Sequence, residues 1–195
     1  MKPKIIGLTG GIGSGKSTIA NYLVSLGYPV YIADDAGRKV MQEQEVLDAI
    51  KEKFGLKIFD NNQLNRAKLA QIVFNDPVQL KALNAIVHPA VRKDFKNWLT
   101  QHQESNLVFY ESAILFESGS YTDFDNIITV TAPIETRISR VLERDDTDRT
   151  QILNRMKAQW TDDERISKSD FVIENININL AKRKMDEFLK ILSIN

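Results

Sequence analysis

Apolar residues in this chain come in two kinds of pattern, short uninterrupted runs and longer stretches with near-helical spacing, and for much of the length the two alternate. Lys4 to Leu8 is a compact apolar run of the kind a strand shows when both of its faces are buried. Lys16 to Leu26 follows, with Ile19, Ala20, Leu23, Val24 and Leu26 at near-helical spacing and Gly27 as a natural stop. Val30-Tyr31-Ile32 is a second short strand, ending at Asp34-Asp35. Leu107–Tyr110, Asn126–Thr131 and Phe171–Ile173 are further β-branched or aromatic runs. Helical patterns separate them. One starts near Pro133 and runs to Arg144 with Ile134, Ile138, Val141 and Leu142 on one face, the next covers about Asp148 to Gln159, and the last displays Leu180, Met185, Phe188, Leu189 and Leu192. Strands alternating with helices predict an α/β fold around a parallel sheet.

From Gln42 to Gln103 this rhythm fades into mostly helical segments. Val46–Phe54 and Ala67–Phe74 are helical by spacing, and Lys57–Asn65, with its Asp60-Asn61-Asn62 turn, reads as a hairpin or loop. Asp76-Pro77 opens another helix, with Leu80, Leu83, Ile86 and Val87 as its apolar face. His88-Pro89 is expected to interrupt it before a further helix carrying Val91, Phe95, Trp98 and Leu99. The whole reads as a helical insertion.

Composition narrows the class only modestly. A chain of 195 residues suits one core domain with insertions. Lys plus Arg equals Asp plus Glu at 26 each, so global charge points neither to nucleic acid nor to an anionic membrane, and any basic site must be local. Without cysteine there is no disulfide framework or thiolate metal site. The start lacks the apolar core of a secretory signal and no apolar run approaches a membrane span, so the expectation is a cytoplasmic soluble protein.

The chemistry concentrates at the end of the first strand. Gly10, four residues, then Gly15-Lys16-Ser17 is the phosphate-binding pattern G-x-x-x-x-G-K-[ST], in the confirming order of strand, loop and helix. Glycines let backbone N–H groups curl round phosphate oxygens, Lys16 adds positive charge toward the β/γ-phosphates, and the Ser17 hydroxyl suits a Mg²⁺ ion. Nucleoside triphosphate binding follows.

Other candidates are read against that loop. Asp34 and Asp35 stand at a strand's carboxyl end, where ligands sit in open α/β sheets; Asp34 is favoured for chemistry and Asp35 for capping the next helix. Glu111 and Glu117 are alternatives for a magnesium-side acid, and solvation or capping explains either equally well. His88 reads as a structural junction residue and His102 as solvent-exposed. Arg137, Arg140 and Arg144 form a stripe, and Arg149 and Arg155 follow on the next helix. Such a cluster beside a phosphate loop is expected to be a closing lid, the alternative being a solvated face paired with Glu135, Glu143, Asp145, Asp146 and Asp148. Thr161-x-x-Glu164 is a capping box, and Asn175, just past the last strand, is placed for nucleotide contact.

With these segments in hand, the chain resembles dephospho-CoA kinases over nearly its whole length. The resemblance runs through GLTGGIGSGKST at Gly7–Thr18, Asp34 and Arg38, His88-Pro89, ILFE at Ile114–Glu117, RVLERDD at Arg140–Asp146, Gln159, and DFVIEN at Asp170–Asn175. It implies an α/β P-loop kinase three-layer fold with a parallel sheet, a helical substrate-binding insertion and a helical lid. Residues 1–35, 104–133 and 166–195 would be the nucleotide-binding core, 36–103 the coenzyme A insertion and 134–165 the lid. The implied activity is transfer of the ATP γ-phosphoryl group to the 3′-hydroxyl of the substrate ribose, with ATP and Mg²⁺, dephospho-CoA as the small-molecule partner, and no nucleic acid or membrane. Carried onto this sequence, Gly11, Ile12, Gly13, Ser14, Gly15, Lys16, Ser17, Thr18 and Asn175 would hold the nucleotide. Ser17 would hold the metal, Asp34 would be the acceptor-side base, and Arg140 or Arg144 would reach ATP from the lid. Thr9, Asp34, Arg38, His88 and Glu117 would lie toward the acceptor.

The chain departs from the family pattern in places. Ile32 stands where the family has a first aspartate, Ala113 replaces a proline, and Glu111-Ser112 replaces apolar residues. Two further classes are weighed beside this reading: another small-metabolite or nucleoside monophosphate kinase of the same fold, and a nucleotide-dependent switch, for which no guanine-reading asparagine-lysine-x-aspartate motif is found. A coenzyme A-binding module without turnover is a third.

Overall fold

The structure is a computed structural model and describes residues 2–74 and 76–194. In chain order, β1 (Lys4–Thr9), α1 (Lys16–Ser25), β2 (Val30–Ile32), α2 (Ala33–Val40) and α3 (Gln44–Phe54) lead to a 3₁₀ turn over Leu56–Ile58. The hairpin strands β3 (Phe59–Asp60) and β4 (Gln63–Leu64), then α4 (Arg66–Phe74) and the long α5 (Pro77–Thr100), complete the first half. β5 (Leu107–Glu111), β6 (Asn126–Thr131), α6 (Ile134–Arg144), α7 (Arg149–Lys157), α8 (Asp162–Ile166), β7 (Phe171–Glu174) and α9 (Ile178–Ile194) follow. The chain divides into two compact units, 1–32 with 102–195, and 33–101.

The first unit is built on a parallel sheet in the order β2-β5-β1-β6-β7. Its central strand alternates cleanly: Ile6 and Leu8 pack with Ile19, Ala20 and Leu23 of α1 and with Met185, Phe188 and Leu189 of α9. On the other face, a Cβ at Gly7 would press on Leu115 and Phe124 at 3.1 Å. Both faces are covered, which is why β1 and β5 read as unbroken apolar runs. The register aligns Leu8 with Glu111, Ile32 with Glu111 and Thr131 with Glu174, so the carboxyl ends of these strands share one edge. The helix patterns are right in type and partly wrong in face. Val24, Leu26 and Leu180 are exposed, and on α6 the buried set is Arg137, Ile138 and Val141, while Ile134 is 57% exposed.

The second unit packs Val46, Ile50, Phe54, Ile58, Leu69 and Val73 into a core of its own, with Leu80, Leu83, Ile86 and Ala90 of α5 against it. Asn61 and Asn62 both take positive φ, 48° and 63°, at the tip of the β3–β4 hairpin, the conformation that a two-residue turn of this hand demands. Asp76 caps α5 by accepting from the N–H groups of Val78 and Gln79. The expected break at His88-Pro89 does not occur: α5 runs through Pro89 to Thr100. Proline removes one helical N–H and costs about 3 kcal/mol. Here apolar residues on both sides of it, Leu83 and Ile86 before and Val91 and Phe95 after, are packed or buried along one helix and outweigh that loss.

Candidate functional site

The loop between β1 and α1 is the site's foundation. Gly13 and Gly15 adopt φ of 77° and 87°, left-handed values that glycine takes without strain. No side chain caps α1, whose N-terminal turn begins directly after Gly15, so the positive end of the helix is open to an anion. Lys16 ends in an ion pair with Glu111, and both side chains are mostly buried. Glu111 is 3% exposed at the last position of β5, in register with Leu8. Ser17 and Thr18 are exposed on the first turn of α1.

Backbone carbonyls of the loop are held by groups distant in sequence. Asn175, buried just after β7, donates from Nδ2 to the Ser14 carbonyl at 2.9 Å. Arg140 donates from Nη2 to the Asn175 carbonyl at 2.8 Å and approaches the Gly13 and Ser14 carbonyls with Nη1 at 3.5 and 3.4 Å. Thr9 Oγ1, Ser14 Oγ and Asn175 Oδ1 are buried with no hydrogen-bond partner among the described residues. Orphaned buried polar atoms of this kind are ones that a bound ion or water ordinarily satisfies.

The arginine cluster divides. Arg140 turns to the loop, as does Arg137, which donates from Nε to the Ile12 carbonyl at 2.8 Å and pairs with Asp162 at 2.9 Å. Burial pulls the Arg137 guanidinium below its ordinary pKa; Asp162 opposes that, and the nearby Arg165 adds to it. The other three lie outside. Arg144 makes a two-pronged contact with Asp145 at 2.7 and 3.1 Å, which raises its pKa, Arg155 approaches Asp145 at 3.7 Å, and Arg149 forks onto Glu135. Glu117 accepts on Oε1 from the Trp160 N–H at 2.9 Å and faces Arg165 at 3.4 Å. The Thr161–Glu164 capping box forms as expected.

In the second unit, Asp34 and Asp35 both lie within the first turn of α2 and are exposed. Asp35 is therefore not the residue before the helix; its carboxylate accepts from Arg38 at 2.9 Å, one turn along. Asp34 has no hydrogen bond or ion pair among the described residues. His88 is half-buried inside α5, and burial, with the Arg92 charge adding to it, lowers its pKa.

The sequence pattern placed Arg137 only as one member of the lid stripe, gave Asp162 and Arg165 no role, and marked Gln159 without one. For Arg137 a signal existed. It is spaced i, i+1 and i+4 with Ile138 and Val141, so it lies roughly 40° from Val141 on the border of the apolar face. A magnesium ion at such a site takes few protein ligands, the remainder being phosphate oxygens and water. The hydroxyl of Ser17, exposed on the first turn of α1, and the carboxylate of Glu111, paired with Lys16, are oxygen donors of the kind such an ion takes. The described residues contain no cluster of three or more His, Cys, Asp or Glu that would hold a metal unaided.

Comparison with known proteins bears on the whole chain. The family model described as dephospho-CoA kinase matches residues 4–180. A dephospho-CoA kinase of Fusobacterium nucleatum is 39% identical over 191 residues, covering 96% of this chain and 98% of that protein. One from Thermus thermophilus is 40% identical over 173 residues, covering 89% and 83%. A solved Thermus thermophilus structure superposes with a TM-score of 0.88 at 37% identity, over 97% of this chain and 98% of the other. A dephospho-CoA kinase of Campylobacter jejuni gives 0.71 at 27% identity, over 97% of each. A shikimate kinase from Acinetobacter baumannii, 15% identical with a TM-score of 0.57, shares the P-loop kinase α/β fold. The chain belongs to the dephospho-CoA kinase family.

Proposed function

We propose that this protein transfers the γ-phosphoryl group of ATP to the 3′-hydroxyl of the ribose of dephospho-CoA, giving coenzyme A and ADP. The observation that carries the reading is the placement of Lys16. It stands at the open N-terminus of α1, beneath a glycine loop, with its ammonium group against the buried carboxylate of Glu111. Glu111 thus keeps a cation in place at the loop until phosphate oxygens compete for it.

Each residue then has a task. The Gly11–Thr18 backbone and Lys16 bind the nucleotide phosphates, and Arg140 and Asn175 steady the loop's carbonyl side. Arg140 is the arginine this reading places nearest the phosphates; Arg144, forked onto Asp145, would have to leave that partner to reach them. Ser17 and Glu111 would hold Mg²⁺, which when bound neutralises charge on the β- and γ-phosphates. Glu117 engages Trp160 and Arg165 through Oε1 and keeps the acceptor-side role expected for it, with Oε2 uncommitted among the described residues. Asp34 accepts the proton of the attacking hydroxyl, a task for which an exposed and unpartnered carboxylate is suited. Arg38, His88 and Thr9 keep the acceptor-side roles that the family resemblance implies for them. In this reading the helical unit takes the coenzyme A moiety and 134–165 acts as the lid. No helix among the described residues is long and apolar enough to cross a membrane, and the reading puts the enzyme in the cytoplasm without nucleic-acid or membrane partners.

The test is ATP- and Mg²⁺-dependent phosphate transfer by the purified protein, comparing dephospho-CoA with AMP, CMP, shikimate and gluconate. Turnover confined to dephospho-CoA is expected. Turnover with another acceptor instead would keep the fold and overturn the substrate.

A further inference from the structure

We propose that Arg137 and Gln159 are positioning residues of the phosphate loop: they clamp the two sides of the Ile12 residue and set the cradle's shape without touching the nucleotide. The inference rests on the reading of the loop as the nucleotide site.

Ile12 lies mid-loop, between the glycines. Its N–H donates to Oε1 of Gln159 at 3.0 Å, and its carbonyl accepts from Nε of Arg137 at 2.8 Å. A residue held at both its donor and its acceptor cannot rotate either flanking peptide without breaking a bond. The clamp is itself anchored. Arg137 is 5% exposed and pairs through Nη1 with Asp162, whose other oxygen receives Arg165 at 3.1 Å. Arg165, 1% exposed, reaches Glu117, and Glu117 accepts the backbone N–H of Trp160, the residue next to Gln159. The path from Ile12 through these groups returns to Ile12.

Two glycines outside the phosphate-binding pattern now have a reason. A Cβ at Gly11 would fall on the Arg137 guanidinium, and one at Gly13 on the Arg137 carbonyl, so the loop is glycine-rich here to admit Arg137 as well as phosphate. A buried arginine pair is poor evidence of stabilisation, because desolvation offsets the attraction; its attested value is in fixing one geometry. The geometry fixed here is that of the backbone groups facing the phosphates. A cradle preset in this way loses little order when the ligand arrives.

The experiment measures ATP affinity by titration calorimetry and the KM for dephospho-CoA in the wild type, Arg137→Lys and Gln159→Leu, each checked for folding by thermal melting. Lysine keeps the charge opposite Asp162 but cannot reproduce the guanidinium fork, and leucine removes the acceptor for the Ile12 N–H. Each variant is expected to bind ATP about tenfold or more weakly, with KM for dephospho-CoA within about twofold of wild type. ATP affinity unchanged in a folded variant, or equal weakening toward both substrates, would overturn the proposal. Should Arg137→Lys not fold, Gln159→Leu, altered at a half-buried neutral side chain, decides alone. A wild type that fails to bind ATP would instead overturn the nucleotide-site reading itself.

Discussion

The loop region and the helical unit carry their candidate chemistry in opposite ways. Around the loop, charged and polar side chains are buried or half-buried and engaged: Lys16 with Glu111, Arg140 with the Asn175 carbonyl, Arg137 with Ile12 and Asp162. In the helical unit, Asp34 and Arg38 are exposed, and Asp34 has no partner among the described residues. A phosphate cradle works by preset geometry, since fixed dipoles and charges in a water-poor site need no reorganisation during transfer. A residue that takes a proton from an incoming hydroxyl must stay uncommitted until the hydroxyl is there. The contrast predicts that substitutions at the loop disturb folding and turnover together, whereas those in the helical unit separate the two.

The largest effect is expected at Lys16. Lys16→Met should reduce turnover by roughly a thousandfold or more, since it removes a charge that the transferred phosphoryl group meets. It should also destabilise the fold by about 3–5 kcal/mol, because Glu111 is left buried without its cation. The double variant Lys16→Met/Glu111→Gln tests the coupling: thermal stability should return toward wild type while turnover stays lost. If the single variant melts like wild type, the pair is not the buried support that the geometry describes.

Asp34→Asn is the opposite case. Loss of a general base lowers kcat by about a hundredfold or more, and the absence of partners means that melting temperature and ATP affinity should stay close to wild type. Normal kcat in this variant would remove Asp34 as the base. Asp35, joined to Arg38 on the same turn, would then be the next carboxylate to substitute.

The same contrast governs what was legible in the sequence. The strands were readable because a parallel sheet covered on both faces writes continuous apolar runs, and the loop because its backbone task admits few residue types. Pro89 misled because its effect is local while the packing that overrides it extends along the whole of α5. Asp35 was expected one step outside a helix that in fact starts at Ala33, directly after β2. For Arg137 the helical spacing put it on the border of the apolar face, but its burial could not be settled there, because the partners that make burial tolerable are remote, Asp162 by 25 positions and Ile12 by 125. Of the other arginines, Arg140 also turns to the loop, while Arg144 and, on the next helix, Arg149 behave as a solvated face does and sit on nearby carboxylates. Periodicity records which face is apolar; it does not record a charge that a distant segment neutralises.

The smallest effect concerns His88 and separates its structural role from a catalytic one. Burial, then the Arg92 charge one turn on, lowers its pKa in the folded state relative to the ordinary value of about 6.5. The unfolded chain therefore binds more protons over that interval, so stability rises with pH across it. The contribution of the neutral imidazole is complete above about 6.5 and is lost as pH falls through the folded-state pKa. His88→Gln, neutral throughout, should show a smaller drop in melting temperature than wild type between about pH 7.5 and 5.5. Equal drops would mean that the imidazole titrates alike in both states. A kcat that falls with acid in wild type but not in His88→Gln, while both remain folded, would show that His88 serves the acceptor through its protonation state and not through its place in α5 alone, making the helical unit's chemistry depend on a half-buried group as the loop's depends on buried ones.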